Sequence, residues 1–318
     1  SCPDMESGSI RITWLGDISN FAGKWKNCNT IEGKLIINLS DDGNVNDLSG
    51  IEHITGDFIL SGVNKGVDLS GLNNIKTVGG NFEVSGGTPD DLVGFESLES
   101  VGGDFIVDGT RGTGRFGGFN SLKSIGGNLI IAYGNNFRDI IGFNALESVN
   151  SIRVEKWNFI ETISGFNKLS KVSGDIIITD NRDLTEISGF NGNLKVGGNI
   201  EIKMNRNIAI LNGFKNTEEV AGVFQISDSD FLQNLDGLSG FNAKVNEIKI
   251  IRLKQLTSID GLKSLTNVIN TFEVSQCEKL SDCAISSLCS HLQGGGSLRI
   301  HSNAIGCQDE FDVVESCD

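Results

Sequence analysis

The chain has 318 residues, a formal net charge of −15, 41 glycines and only 2 prolines. That acidity argues against nucleic acid or an anionic membrane surface as the main partner, because both recruit Lys and Arg. No apolar run approaches the roughly 18 residues of a membrane span, and no signal peptide is visible, so the expectation is a mature chain suited to solution outside a cell.

Residues 1–32 read as an N-terminal cap with a first strand at Ile10-Arg11-Ile12. Cys2 and Cys28 lie in it and are expected to pair, because a solenoid end exposes an unpaired coil that needs closing. Residues 33–276 form a repeat domain. Gly-Phe or Gly-Leu returns at Gly71, Gly94, Gly118, Gly142, Gly165, Gly189, Gly213, Gly237 and Gly261, with spacings of 23 or 24 residues. A fixed period of this size means stacked coils, each burying its apolar side only against its neighbours.

Within each coil an apolar-x-apolar run follows a glycine pair, as in Gly80-Asn81-Phe82-Glu83-Val84 and Gly127-Asn128-Leu129-Ile130-Ile131. Period-two alternation in β-branched and aromatic residues predicts a short strand with alternate side chains inward. The glycine pair is expected to supply a turn open to positive φ. Leu-x-x-Val pairs, such as Leu98 with Val101, predict further inward segments. The fold class is therefore mainly β: a parallel β-helix solenoid of about eleven coils, stacked at about 4.8 Å. Recurrent Asn at positions 120, 144, 167 and 191, and again at 136, 158, 181 and 205, reads as corner residues satisfying backbone groups.

Residues 277–318 read as a C-terminal cap with Cys277, Cys283, Cys289, Cys307 and Cys317. Disulfides imply an oxidising compartment. Two bridges are expected among the last four, with connectivity open and Cys277 free and buried. A zinc site shared with His291 and His301 is the weaker alternative, because the spacings match no common finger. Helices are predicted over 281–292, with Ser281 as N-cap, and over 308–317.

Uniform coils leave no inserted loop to build a cleft, so candidate sites are the places where coils differ. Tyr133 and Trp157, counted from the glycine pair, fall at one position on adjacent coils; they either pack over a corner of the solenoid or stand as an exposed aromatic platform for a sugar ring or a partner loop, which makes them candidate ligand-binding residues. The outward strand row includes Ile106, Ile130, Arg153 and Ile177 and is unusually apolar in its middle, a second candidate face. Asp180, Asp228 and Asp230 are the carboxylates that a polysaccharide-active enzyme of this shape would use, at about the separation of an inverting pair. No catalytic triad, phosphate loop or dinucleotide fingerprint occurs.

The unit G-G-N-L-x-I…G-F-x-x-L-x-x-V resembles the receptor L-domain-like, leucine-rich-repeat-related β-helix, over roughly residues 30–275. Similar repeats occur in secreted or surface proteins of Bacteroidetes-type bacteria and in fungal cell-wall proteins, and the C-terminal cysteines resemble the end cap of the bacterial members. The resemblance implies a binding domain for protein ligands and assigns no ligand residue here. The reading that results is a non-catalytic, extracellular, cell-surface or periplasmic binding or adhesion protein for a protein or carbohydrate ligand. It uses no cofactor or metal, no nucleic acid and no membrane span. The alternatives are a polysaccharide-active enzyme or a structural surface-layer component.

Overall fold

The computed structural model describes residues 9–12, 27–38, 45–89, 92–112, 114 and 116–317. The chain is mainly β, a parallel β-solenoid of about eleven turns with two short C-terminal helices. It divides into two compact units, residues 1–152 with 157–160, and residues 153–156 with 161–318.

In the first unit, strands Phe58–Ser61, Phe82–Ser85, Phe105–Asp108 and Leu129–Ala132 pair in parallel without a register shift, so Phe58, Phe82, Phe105 and Leu129 lie one above another. A second line of two-residue strands, His53–Ile54, Thr77–Val78, Ser100–Val101 and Ser124–Ile125, precedes them on each coil. The inward residues form ring ladders. Phe82 and Phe105 stack at 4.6 Å, and Phe95, Phe119 and Phe143 stack at 5.6 and 5.5 Å. The two ladders meet edge to face, with Phe105 and Phe119 at 4.9 Å, the arrangement the ring quadrupoles favour.

The glycine pairs have a different cause from the one expected. Gly79, Gly102 and Gly126 are not in the left-handed region. A Cβ on Gly102 would lie 2.1 Å from the Gly79 carbonyl oxygen, and one on Gly126 would lie 2.2 Å from that of Gly102. These residues are glycine because one coil presses its backbone on the next. The residue after each pair closes the gap sideways: the Asp57, Asn81 and Asp104 carboxyl or amide oxygens accept the backbone N–H of Asn81, Asp104 and Asn128 at 2.7–2.9 Å. Left-handed backbone occurs instead after the strands, at Gly62, Gly86 and Gly109.

The second unit keeps the plan with different fillings. Ile176–Thr179 and Ile200–Lys203 pair in register, and Phe166, Phe190 and Phe214 stack at 4.7 Å spacings. Asn181 and Asn205 are buried. The Asn181 amide donates to the Val154 carbonyl at 3.0 Å and that of Asn205 to the Ile178 carbonyl at 2.8 Å. That is the backbone-satisfying role expected of the recurrent Asn. Further on, the two strands of a coil fuse into single strands, Glu219–Ser227, Lys244–Ile251 and Asn267–Ser275, with register shifts where the glycine pair is lost.

At the C-terminal end, strand Ser297–His301 pairs with Thr271–Ser275. Helices α1 (Ser286–Gln293) and α2 (Glu310–Cys317) follow α-helical geometry over shorter spans than expected. Ser281 does not cap α1, whose N-cap position is Ile285 with no side-chain cap bond. Cys283 bonds Cys307 and Cys289 bonds Cys317. Those four sulfurs are thereby removed as zinc ligands. Cys277 is a buried free thiol whose pKa burial pushes up to about 11. Cys28 is likewise a buried free thiol, and its expected partner Cys2 lies outside the described residues.

Candidate binding face of the first unit

The outward side of the sheet in the first unit has three columns. The first is the Asp/Asn ladder. The second contains Ile36, Ile59, Glu83, Ile106 and Ile130, each directly opposite the next in the parallel register. The third contains Asn38, Ser61, Ser85, Asp108 and Ala132. Ile106 and Ile130 are half-buried neighbours on adjacent strands, so they present one continuous apolar step beside the Asp/Asn ladder, with Asp108 and the buried Ala132 on the other side.

Tyr133 continues from the second of those strands. It occupies the left-handed corner, φ 53°, that Gly62, Gly86 and Gly109 fill on preceding coils, and its ring residue is 53% exposed. Gly109 donates its N–H to the Ala132 carbonyl at 3.1 Å, which fixes the corner beside the tyrosine. A Cβ at Gly86 or Gly109 would meet nothing within 4 Å. The phenol therefore stands next to a bare strip of backbone. The second unit places Lys156, Asp180, Met204, Asp228 and Arg252 in left-handed geometry, so the corner tolerates side chains generally. What singles out Tyr133 is an exposed aromatic ring beside the isoleucine step.

Trp157 does not join it. It is 0% exposed. The coil before it is one residue short: Asn150 donates to the Gly127 carbonyl, as Gly127 does to that of Gly103, and Ser151 takes the slot of Asn128. Counting from the glycine pair therefore runs one place ahead. Trp157 falls beside Gly134, where a Cβ would lie 2.2 Å from its ring atoms, and packs among Phe137 and Phe116 at centroid distances of 6.1 and 6.4 Å. The aromatic platform reduces to Tyr133.

In the second unit the outward row turns ionic. Arg153 is exposed and pairs with Glu155 at 3.3 Å, and half-buried Ile177 is opposite Glu201. Lys249 is opposite Glu273, which is opposite Arg299. Among the carboxylates, Asp228 takes two hydrogen bonds from the Arg252 guanidinium at 2.6 and 2.9 Å, and Asp230 pairs with Lys254 at 3.0 Å. The Arg252 bonds hold the Asp228 carboxyl below the usual carboxylate range. A general acid requires the opposite shift.

A shallow depression of about 220 Å³ lies elsewhere on the first unit, between Val67, Leu69, Val93 and Glu96. It falls short of the roughly 300–1,000 Å³ usual for small-molecule sites. Among the described residues no His, Cys, Asp or Glu cluster is arranged for a metal ion, and no helix is long and apolar enough to cross a membrane.

Residues 27–108 match the family model described as Receptor L domain. The match covers the early coils, and the β-solenoid of the whole described chain is receptor L-domain-like. That family is a ligand-binding, non-enzymatic domain whose members bind proteins. The match and the two disulfides point to an extracellular domain. No curated protein matches the chain.

Proposed function

We propose that the chain is a non-catalytic recognition module, secreted or held at a cell surface, that binds a protein ligand through the outward sheet face of its first unit. The observation that carries this reading is the adjacency of Tyr133 to the Ile106–Ile130 step. An exposed aromatic anchor beside an apolar surface, rimmed by Asp104, Asp108, Asn128 and Glu83, has the make-up of a protein-interface centre with a polar rim. The coil design supports it, because paired strands hold Ile106 and Ile130 and the hydrogen-bonded corner after them holds Tyr133. Recognition of a glycan by the Tyr133 ring is the second reading, favoured by the bare glycine corner beside it. Catalysis at Asp228 is disfavoured by its pairing with Arg252.

The test uses arrays of extracellular proteins and of glycans, followed by titration of the strongest hit. Tyr133→Ala with Ile130→Asp should weaken binding by about tenfold or more, the loss expected when a hot spot is removed. Both side chains point outward, so thermal unfolding should shift little. Undiminished affinity for the double variant would sink the assignment of this face, and a hit confined to the glycan array would move the reading to sugar recognition.

A further inference from the structure

The C-terminal cap carries a second surface, independent of the proposed face. Its helix α2 turns Val313 inward and ties Cys317 to Cys289 of α1, while Phe311 and Val314 lie on another side. Phe311 is 78% exposed and Val314 40%. Three residues apart on a helix, they are neighbours on one face. Ile305, 86% exposed, sits in the turn that Cys307 anchors to Cys283 two residues later. The remaining inward positions of the cap are filled: Leu288, Cys283 and Cys307 are buried. Phe311 and Ile305 are therefore not core residues left over from packing. They are large apolar groups held in water by a stapled frame.

The charge around them is one-sided. Asp309, Glu310, Asp312 and Glu315 surround Phe311 in sequence, residues 300–318 hold no Lys or Arg, and the one basic side chain among them is that of His301, a residue bridged to Asp309 through the backbone. Two of these acids have structural work. Asp309 accepts the backbone N–H groups of Phe311 and Asp312 at 2.9 and 3.3 Å, and Asp312 accepts that of Gln308 at 2.6 Å. Glu310 and Glu315 have no such bond among those described, and both are exposed. An apolar patch with an acidic rim selects an occupant that brings apolar side chains and positive charge together. A second copy docking by two-fold symmetry would place the same acidic rims face to face, and the whole chain carries −15. We propose that Phe311, Val314 and Ile305 form a docking site for a basic amphipathic segment of another protein, with apolar side chains on one face and Lys or Arg on the other.

The probe is a synthetic amphipathic helical peptide with Leu on one face and Lys on the other, titrated against the full chain by fluorescence anisotropy. Its counterpart with Glu in place of Lys is the charge control. Saturable binding of the Lys peptide is expected, with affinity at least tenfold above that of the Glu peptide. It should weaken with added salt and fall at least tenfold in an Ile305→Ser, Phe311→Ser variant. These positions are exposed, so circular dichroism and the melting temperature of that variant should match the parent. A second variant, Glu310→Gln with Glu315→Gln, keeps the apolar groups and should bind the Lys peptide more weakly, with a shallower salt dependence. Equal affinity of parent and Ile305→Ser, Phe311→Ser variant would overturn the proposal, since the peptide would then be held elsewhere on the acidic surface. Failure of the Lys peptide to bind would also overturn it. So would concentration-dependent dimerisation that the same variant abolishes, because the occupant would then be a second copy.

Discussion

Trp157 and Gly134 are two parts of one packing arrangement. The indole ring of Trp157 lies over the Gly134 backbone and is wholly buried between Phe116 and Phe137. A methyl group at position 134 would occupy the space of the ring, 2.2 Å from its atoms. Gly134→Ala should therefore destabilise the chain by about 1–3 kcal/mol, as overpacking does, and Trp157→Ala by about 3–5 kcal/mol through the cavity left. The two changes share one contact, so the double variant should cost less than the sum. Urea titrations of the four proteins measure this; strict additivity would show that the ring and the glycine do not meet. Tyr133 is the opposite case. Its exposed ring contributes little that folding needs, and its worth is to be sought in binding.

A coil is the natural element here, and its features were legible in the sequence to different degrees. The period of 23 or 24 residues and the alternation around Phe82, Phe105 and Ile176 specified parallel stacking, inward ladders and outward rows, because side-chain direction follows strand pleat. The reason for the glycine pairs was not legible. Positive φ and close backbone approach both demand glycine, and only the carbonyl of Gly79 pressed against Gly102 separates them. The site was half legible for a similar reason: Ile106 and Ile130 sit on strands whose phase is certain, while the position of Trp157 depended on a one-residue deletion inside a turn. The cap can be tested at this scale. Its bridges close loops with sequence separations of 24 and 28 residues. Restricting the unfolded chain in this way stabilises by about 3 kcal/mol per bridge. Reductant should lower the urea midpoint and raise hydrogen exchange in α1 and α2 first; an unchanged midpoint would mean that the cap unfolds without affecting the coils.

At the scale of the whole molecule, 41 acidic against 26 basic side chains set two effects in opposition as pH falls. Titration toward the sequence pI of about 4.6 relieves self-repulsion, which favours the folded state and lowers solubility. Against this stand carboxylates whose folded pKa is depressed. Asp57 is held down by its bond to Lys34 and by the Asn81 N–H, and Asp228 by its bonds to Arg252. A group depressed on folding stabilises above its unfolded pKa, near 4, and that contribution is lost as pH drops through the folded value. Between pH 7 and about 5.5 the carboxylates keep their charge, because their ordinary range lies near 4. The melting temperature should therefore be flat across that range, while light scattering rises as the pI is approached. Below about pH 4 both effects act against the fold: positive charge accumulates and the paired carboxylates protonate. The melting temperature should then fall steeply. Asp228→Asn isolates the pair. It should lower the melting temperature at pH 7, and the difference from the parent should shrink through the acid range and vanish once Asp228 is protonated in both states. A difference that persists unchanged at low pH would show that Asp228 acts by hydrogen bonding alone rather than by its charge.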